Sequence, residues 1–186
     1  MMQFRTVGLV GSINHELEED VMDRLLELQL RSNDPINLII NSPGGAGDLA
    51  MRLHDIISFV LTAPVHALVV GRCNSAATFV LLGCKVRRGM PHAEFVIHSG
   101  TFSGFSLKVN EVSLANAPRL FTEIKRSAQA MVDFYAEKLE IPKKRVRALI
   151  ARGDEQFDSS MNANEAFEIG LITEIVKANI GIFRVS

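Results

Sequence analysis

Short, wholly apolar runs alternate along this chain with longer segments in which apolar residues recur every three or four positions. The first pattern predicts buried strands, and the second predicts amphipathic helices. The predicted strands span residues 6–10, 36–40, 65–70, 95–97 and 171–176, and the predicted helices span 16–30, 48–61, 76–82, 118–139, 141–151 and 162–169. Strands that are apolar on both faces and separated by helices indicate an α/β fold with a parallel sheet.

The domain organisation follows from the absence of any boundary signal. No repeat, low-complexity tract or linker divides the 186 residues, so we expect one domain over 1–186. Residues 99–117 are rich in Gly, Ser and Thr and predict an irregular or β-like excursion. Pro118 suits the first turn of the helix that follows, so Ala117-Pro118 is expected to mark its start. Together these segments predict an arm over about 99–140.

Composition and charge exclude several classes of protein. The chain is 47% hydrophobic and 22% charged, which is typical of a globular protein. Its net charge is -1 with scattered basic residues, so no nucleic-acid partner is expected, and Arg87-Arg88 is interpreted as a solvated turn. The N-terminus lacks a signal-peptide layout, and the apolar stretch 59–70 is interrupted. We therefore expect a cytoplasmic protein that is not inserted in a membrane.

The two cysteines, Cys73 and Cys84, show neither metal-ligand spacing nor a disulfide framework. Both lie in apolar surroundings, where a free cysteine behaves as a small hydrophobic residue. No metal site is expected.

Chemically distinctive residues follow the predicted strands. A parallel sheet binds ligands at the carboxyl ends of its strands. Gly44-Gly45 follows the second predicted strand, Ser75 the third and His98 the fourth. A serine between a strand and a helix is usually only an N-cap. As a nucleophile, Ser75 would need a base to take its proton and donors to hold an oxyanion.

His98 is the predicted base. It is the one histidine of five that stands at the carboxyl end of an apolar strand. From there a neutral imidazole could take the Ser75 proton and return it to the leaving amine. A structural histidine at a strand end is the alternative. The other four are interpreted as structural, exposed or in turns: His15, His54, His66 and His92.

An acid and an oxyanion hole complete the hypothesis. Asp154 and Asp158 both precede the last helix, and the residues alone leave the choice between them open. The amides of Gly44 and Gly45, together with that of Ala76, could form the oxyanion hole. The chain order Ser, His, Asp differs from that of the α/β-hydrolases, and their G-x-S-x-G motif is absent around the serine.

Four segments resemble the proteolytic subunit of the Clp protease family. Residues 39–45 match its I-N-S-P-G-G segment, and residues 71–77 fall where the family carries its nucleophilic serine. Residues 96–98 match its M-I-H segment, and residues 161–172 match its M-S-A-x-E-A-x-E-x-G-L-I segment. The resemblance runs from about residue 6 to residue 176.

The resemblance implies a crotonase-like spiral of βαβ units with a protruding helical handle at about 118–139. It implies a serine endopeptidase with Ser75 as nucleophile, His98 as base and Asp154 rather than Asp158 as acid. It also implies neither metal nor nucleotide cofactor in this subunit. Residues 99–110 would pair with the main chain of a peptide substrate.

The resemblance also implies partners. Family members form heptameric rings, stacked in pairs as a tetradecamer, and cut unfolded polypeptides delivered by an ATP-driven unfoldase. Here the chain begins almost at the first predicted strand, so the N-terminal loops that contact the unfoldase are expected to be absent. Ala76-Ala77 replaces the usual Met-Gly after the nucleophile, and Ser99-Gly100 replaces the usual Gln-Pro after the base.

Three alternatives remain at this stage. Ala76-Ala77 is more similar to the related phage head-maturation proteases. A non-catalytic ring subunit would share the fold without the chemistry. A crotonase-type acyl-CoA enzyme would share the spiral and the oxyanion hole, but the chain is short for one.

Overall fold

The computed structural model describes residues 5–99, 111–155 and 160–177. Its elements in chain order are β1 Thr6–Val10, α1 His15–Arg31, β2 Ile36–Ser42, α2 Gly47–Asp55, a π-helical turn Ile56–Val60, β3 Val65–Asn74, α3 Ala77–Gly83, β4 Val86–Gly89, β5 Glu94–Val96, α4 Glu111–Lys138, α5 Lys143–Glu155, α6 Ala163–Glu168 and β6 Glu174–Ile175. They form two compact units, one of residues 1–97 with 157–186 and one of residues 98–156.

The first unit is built on a parallel sheet, as the apolar runs predict. Its order is β1-β2-β3-β4-β6, and β5 pairs with β3 outside that path. Ile36, Leu38 and Ile40 of β2 are fully buried, and each is followed by a residue that is half-buried or exposed. Val21, Leu25 and Leu28 of α1 are also buried, as its helical spacing predicts. Burial of these strands is the main stabilising contribution.

The central strand β3 changes neighbours halfway along its length. Residues 66–69 pair with β4, whereas residues 72–74 pair with β5. The register with β2 shifts between Ile40 and Ser42, which places Ser42 opposite Cys73. Gly71 lies at this switch, where a Cβ would come within 2.7 Å of Asn41 Oδ1. The end of β3 is thereby held between β2 and β5.

Strand β4 is absent from the predicted elements because its sequence is polar. The interpretation of Arg87-Arg88 as a solvated turn is wrong. The Arg87 guanidinium donates to the carbonyl oxygens of Cys84 at 3.2 Å, Gly170 at 3.0 Å and Leu171 at 3.0 Å. Burial lowers the pKa of Arg87. An arginine usually indicates an exposed position, but the Arg87 guanidinium here provides hydrogen bonds to partly buried carbonyl groups.

The second unit contains α4 and α5. Helix α4 begins at Glu111, so the expectation that it begins at Pro118 is wrong, and Pro118 lies inside the helix. Asp133 of α4 pairs with Lys143 of α5 at 2.7 Å. Gln129 donates to Asp133 at 2.6 Å and accepts from Arg147 at 2.9 Å. These contacts lower the pKa of Asp133, with the hydrogen bond to Lys143 as the largest cause.

Buried side chains complete the contact between these two helices. They are Val132 and Tyr135 of α4, Leu139 directly after α4, and Val146 and Ile150 of α5. Of the predicted arm, residues 100–110 lie outside the described residues, as does Asp158. No helix in the described part of the chain is long and apolar enough to cross a membrane.

Candidate active site

Ser75 lies between the end of β3 and the start of α3, in a strained backbone conformation. Its φ of 53° is in the left-handed region, which a residue with a Cβ seldom adopts. Its amide donates to the carbonyl of Val96 at 2.7 Å, and its carbonyl accepts from Thr78 N at 3.0 Å and Thr78 Oγ1 at 2.6 Å. Backbone strain of this kind persists only where the surroundings impose it, and it is common at active sites.

The side chain of Ser75 is not used as a helix cap. The residue at the N-cap position of α3 is Ala76, and no side chain caps this helix. Ser75 itself is half-buried, and no hydrogen bond from its hydroxyl to another described residue is present. The N-cap alternative raised by the sequence therefore fails for this serine.

Gly44 packs directly against Ser75. It has a φ of 96°, and a Cβ at this position would lie 2.7 Å from Ser75 Cβ, 2.7 Å from Asn74 O and 3.0 Å from Ala76 N. Only a residue without a side chain can approach the serine so closely. Gly44 after β2 and the serine after β3 thus meet, as the shared carboxyl edge of the sheet predicts.

The three amides predicted as oxyanion donors have different partners. Gly44 N donates to Ser42 Oγ at 3.1 Å, and Ser42 is fully buried. Gly45 lies beside Ile13, whose amide donates to Gly44 O and whose carbonyl accepts from Ala46 N. Neither Gly45 N nor Ala76 N donates to another described residue. These two amides are therefore the candidate oxyanion donors.

Cys73, two residues before Ser75, is a rival nucleophile by position. It is fully buried, and desolvation by burial, with a smaller contribution from Cys84, raises the pKa of its thiol. Burial likewise raises the pKa of Cys84, to about 12. A thiol in such a site is inert because the reactive thiolate is suppressed. This leaves Ser75 as the candidate nucleophile at the end of β3.

His98, Ser99 and Asp154 belong to the second unit. Asp154 stands in the last turn of α5 and is exposed, whereas His98 is half-buried. The Asp154 Oδ1 atom accepts two hydrogen bonds of 2.8 Å, one from Ser99 N and one from Ser99 Oγ. No hydrogen bond between Asp154 and the His98 imidazole is present. The carboxylate predicted as triad acid is thus attached to the residue that follows the predicted base.

A groove of about 330 Å³ lies in this second unit beside Asp154. Its apolar lining residues are Ala128, Met131, Val132, Ile150 and Ala151. Its polar lining residues are Ser99, Lys125, Gln129, Arg147 and Asp154.

The described residues thus contain two groups of predicted site residues. Gly44 meets Ser75 and Ala76 in the first unit, where Gly45 lies beside Ile13, and Asp154 lies beside the segment of His98 in the second. No role was predicted for Ser42 or Ser99. Ser99 could have been noticed because it directly follows the predicted base. No group of three His, Cys, Asp or Glu side chains in the described part of the chain could hold a metal ion.

The chain is similar to known proteins over most of its length. The sequence model described as Clp protease matches residues 1–179. The ATP-dependent Clp protease proteolytic subunit 2 of Treponema denticola is 32% identical over 93% of this chain and 82% of its own. The protein of the same name from Treponema pallidum is 28% identical over 95% of this chain and 84% of its own.

Solved structures show the same fold. ClpP1 from Listeria monocytogenes is 29% identical, with a TM-score of 0.77 over 96% of this chain and 95% of its own. A mutant of that protein gives the same values. The expected α/β spiral is therefore confirmed.

Proposed function

Because this chain belongs to the Clp protease family, we propose that it is a serine endopeptidase in which Ser75 attacks the scissile carbonyl. The observation that carries the proposal is the strained left-handed conformation of Ser75, with Gly44 packed against its Cβ. Such a turn between a strand and a helix exposes the serine hydroxyl while the amide of the following residue stays beside it. A serine that only caps a helix would need neither the left-handed backbone nor the close approach of Gly44.

His98 is the proposed general base. Ser75 N donates to Val96 O, and His98 is the second residue after Val96. Two residues span at most about 7 Å of chain, so covalent geometry keeps the His98 backbone near the strand end that supports Ser75. The imidazole takes the Ser75 proton as Oγ bonds to the carbonyl carbon.

Asp154 is the proposed third member. Its carboxylate would hold the proton of His98 on Nδ1, which leaves Nε2 free to accept the serine proton and stabilises the imidazolium that forms. Asp154 Oδ1 accepts a hydrogen bond from the amide of Ser99, which is the residue directly after His98.

The amides of Gly45 and Ala76 are the proposed oxyanion donors. The Gly44 amide could join them only by giving up its bond to Ser42 Oγ, so Gly44 serves mainly by its close approach to Ser75. When the tetrahedral intermediate collapses, His98 passes its proton to the leaving amine and the acyl chain remains on Ser75. Water, activated by His98, then attacks the acyl group, which leaves Ser75 as the free carboxylic acid of the peptide product.

The proposed assembly follows the family. We propose homo-oligomeric rings, heptameric and stacked in pairs, that enclose the active sites. Unfolded polypeptides are the proposed substrates, with or without delivery by an unfoldase. Counting subunits by native mass spectrometry tests the ring size separately from the chemistry.

The proposal predicts that a fluorophosphonate adds one adduct per chain to the assembled protein, because the probe reacts with activated serines. The intact mass measures the adduct. Ser75→Ala should remain unmodified, whereas Ser32→Ala, which removes an exposed hydroxyl of the α1 C-cap, should react as the unaltered protein does.

Two outcomes would count against this prediction. An adduct that persists in Ser75→Ala would place the nucleophile elsewhere. An assembled wild-type ring that stays unmodified would favour the non-catalytic ring subunit.

A further inference from the structure

We infer that Ser99 is a positioning residue that holds one oxygen of the Asp154 carboxylate so that the other is presented to the His98 imidazole. The inference rests on the proposed function, since that function gives Asp154 its role. It concerns a residue to which neither the sequence nor the comparisons assign a part. Two hydrogen bonds of 2.8 Å carry it, from Ser99 N and Ser99 Oγ to Asp154 Oδ1.

The two bonds leave half of the carboxylate available. An ionised carboxylate offers two oxygens with about four acceptor sites in all. Both Ser99 donors go to Oδ1, and no described residue donates to Oδ2. The oxygen that would accept from an imidazole N–H is therefore unoccupied by Ser99.

These two hydrogen bonds restrict the orientation of the Asp154 carboxylate. Asp154 is exposed and stands in the last turn of α5, where an unrestrained side chain would populate several rotamers. Two donors from one residue restrict rotation of the carboxylate. One of them is the amide directly after His98, so the carboxylate is tied to the chain segment that carries the imidazole. Positioning of an acid in this way fixes the tautomer of its histidine.

A latch is the opposing interpretation of the same contacts. Ser99 would then compete with His98 for Asp154 and hold the site at rest. The two ideas predict opposite effects of removing the hydroxyl, because loss of a positioning group slows acylation and loss of a latch accelerates it.

A double-mutant cycle on the assembled protein separates these ideas. The measured quantity is the second-order rate constant for modification of Ser75 by a fluorophosphonate. Ser99→Ala should lower it about threefold to tenfold, as for loss of one charge-assisted hydrogen bond. In an Asp154→Ala background the same substitution should change it less than about twofold, because the residue acts through Asp154.

Matched variants control for the hydroxyl itself. Ser99→Thr keeps a hydroxyl and should recover most of the rate. Ser32→Ala removes another serine–aspartate hydrogen bond of 2.8 Å, that of Ser32 Oγ to Asp34 Oδ2, outside the proposed site and should leave the rate unchanged. A faster Ser99→Ala protein, or equal losses in both backgrounds, would overturn the inference.

A second readout does not depend on activity. The ¹⁵N chemical shifts of the His98 imidazole, assigned with His98→Gln, report which nitrogen carries the proton. We expect the Nδ1–H tautomer in the wild type, its loss in Asp154→Ala and a partial loss in Ser99→Ala. If the wild type does not react with the probe but the tautomer responds in this way, the proposed function fails and the positioning role stands. If the tautomer is the same in all three proteins, the positioning role fails, whether or not Ser75 reacts.

Discussion

Replacing Ser75 with alanine is expected to lower kcat for hydrolysis of a fluorogenic peptide by at least about 10⁴-fold. The hydroxyl forms the covalent bond to the acyl group, and the neighbouring Cys73 thiol cannot replace it, because it is fully buried with a raised pKa. The residual rate would come from the oxyanion donors and from substrate binding. Steady-state kinetics on the assembled protein measure the loss.

His98→Gln should reduce kcat to the same floor, and the double variant with Ser75→Ala should be no slower than either single one. Residues that act as one catalytic unit give such non-additive losses. His92→Gln is the matched control, since His92 is an exposed histidine in a turn outside the proposed site. Additive losses, or a Ser75→Ala protein within tenfold of the wild type, would argue against a shared proton-transfer step.

Gly44→Ala is expected to lower kcat/KM by about a hundredfold or more, as for loss of an oxyanion site. The new methyl group would meet Asn74 O and Ser75 Cβ at 2.7 Å and Ala76 N at 3.0 Å. Relief of these contacts requires a shift of the backbone that holds the nucleophile and the Ala76 amide. Displacements of about 1 Å at a catalytic group are enough for losses of this size.

Gly11→Ala is the matched control for backbone strain. Gly11 also has a positive φ, 102°, but a Cβ there meets nothing within 4 Å. Both substitutions should destabilise the fold by about 1–2 kcal/mol through the left-handed conformation alone. Only Gly44→Ala should also lose activity, measured at a temperature where circular dichroism shows both variants folded. Equal activity in the two variants would refute the close-approach role of Gly44.

Much of the fold was predictable because the predicted strands are apolar runs that supply core side chains, such as Leu9, Ile40 and Val69. The bounds of β1 were predicted without error, and those of α1 to within one residue at each end. Other boundaries were wrong where tertiary contacts override local signals. Strand β3 continues four residues beyond Val70, through Gly71, because β2 and β5 pair with its end. Strand β4 was missed because its arginines suggest a solvated turn, whereas Arg87 donates to the carbonyl groups of Gly170 and Leu171.

In the candidate site, too, some features were predictable from the sequence and others depend on tertiary contacts. The meeting of Gly44 with Ser75 was predictable, since both follow neighbouring parallel strands of one sheet. The left-handed φ of Ser75 was not, because one of the bonds that hold its backbone goes to Val96 of β5, which is distant along the chain. Likewise, no local signal shows that Ser99 binds Asp154, since 55 positions separate the two residues. The roles of Ser75, His98, Asp154 and the amides of Gly44, Gly45 and Ala76 stay predictions.

The most direct test of the central claim is a structure of the assembled protein after reaction with a fluorophosphonate. Our account predicts phosphorus bonded to Ser75 Oγ, with a phosphonyl oxygen about 2.7–3.1 Å from the amides of Gly45 and Ala76. It also predicts His98 Nε2 beside Oγ and Nδ1 within hydrogen-bond distance of Asp154. A phosphonyl group bonded to another residue, or an imidazole of His98 that contacts neither Ser75 nor Asp154, would contradict it.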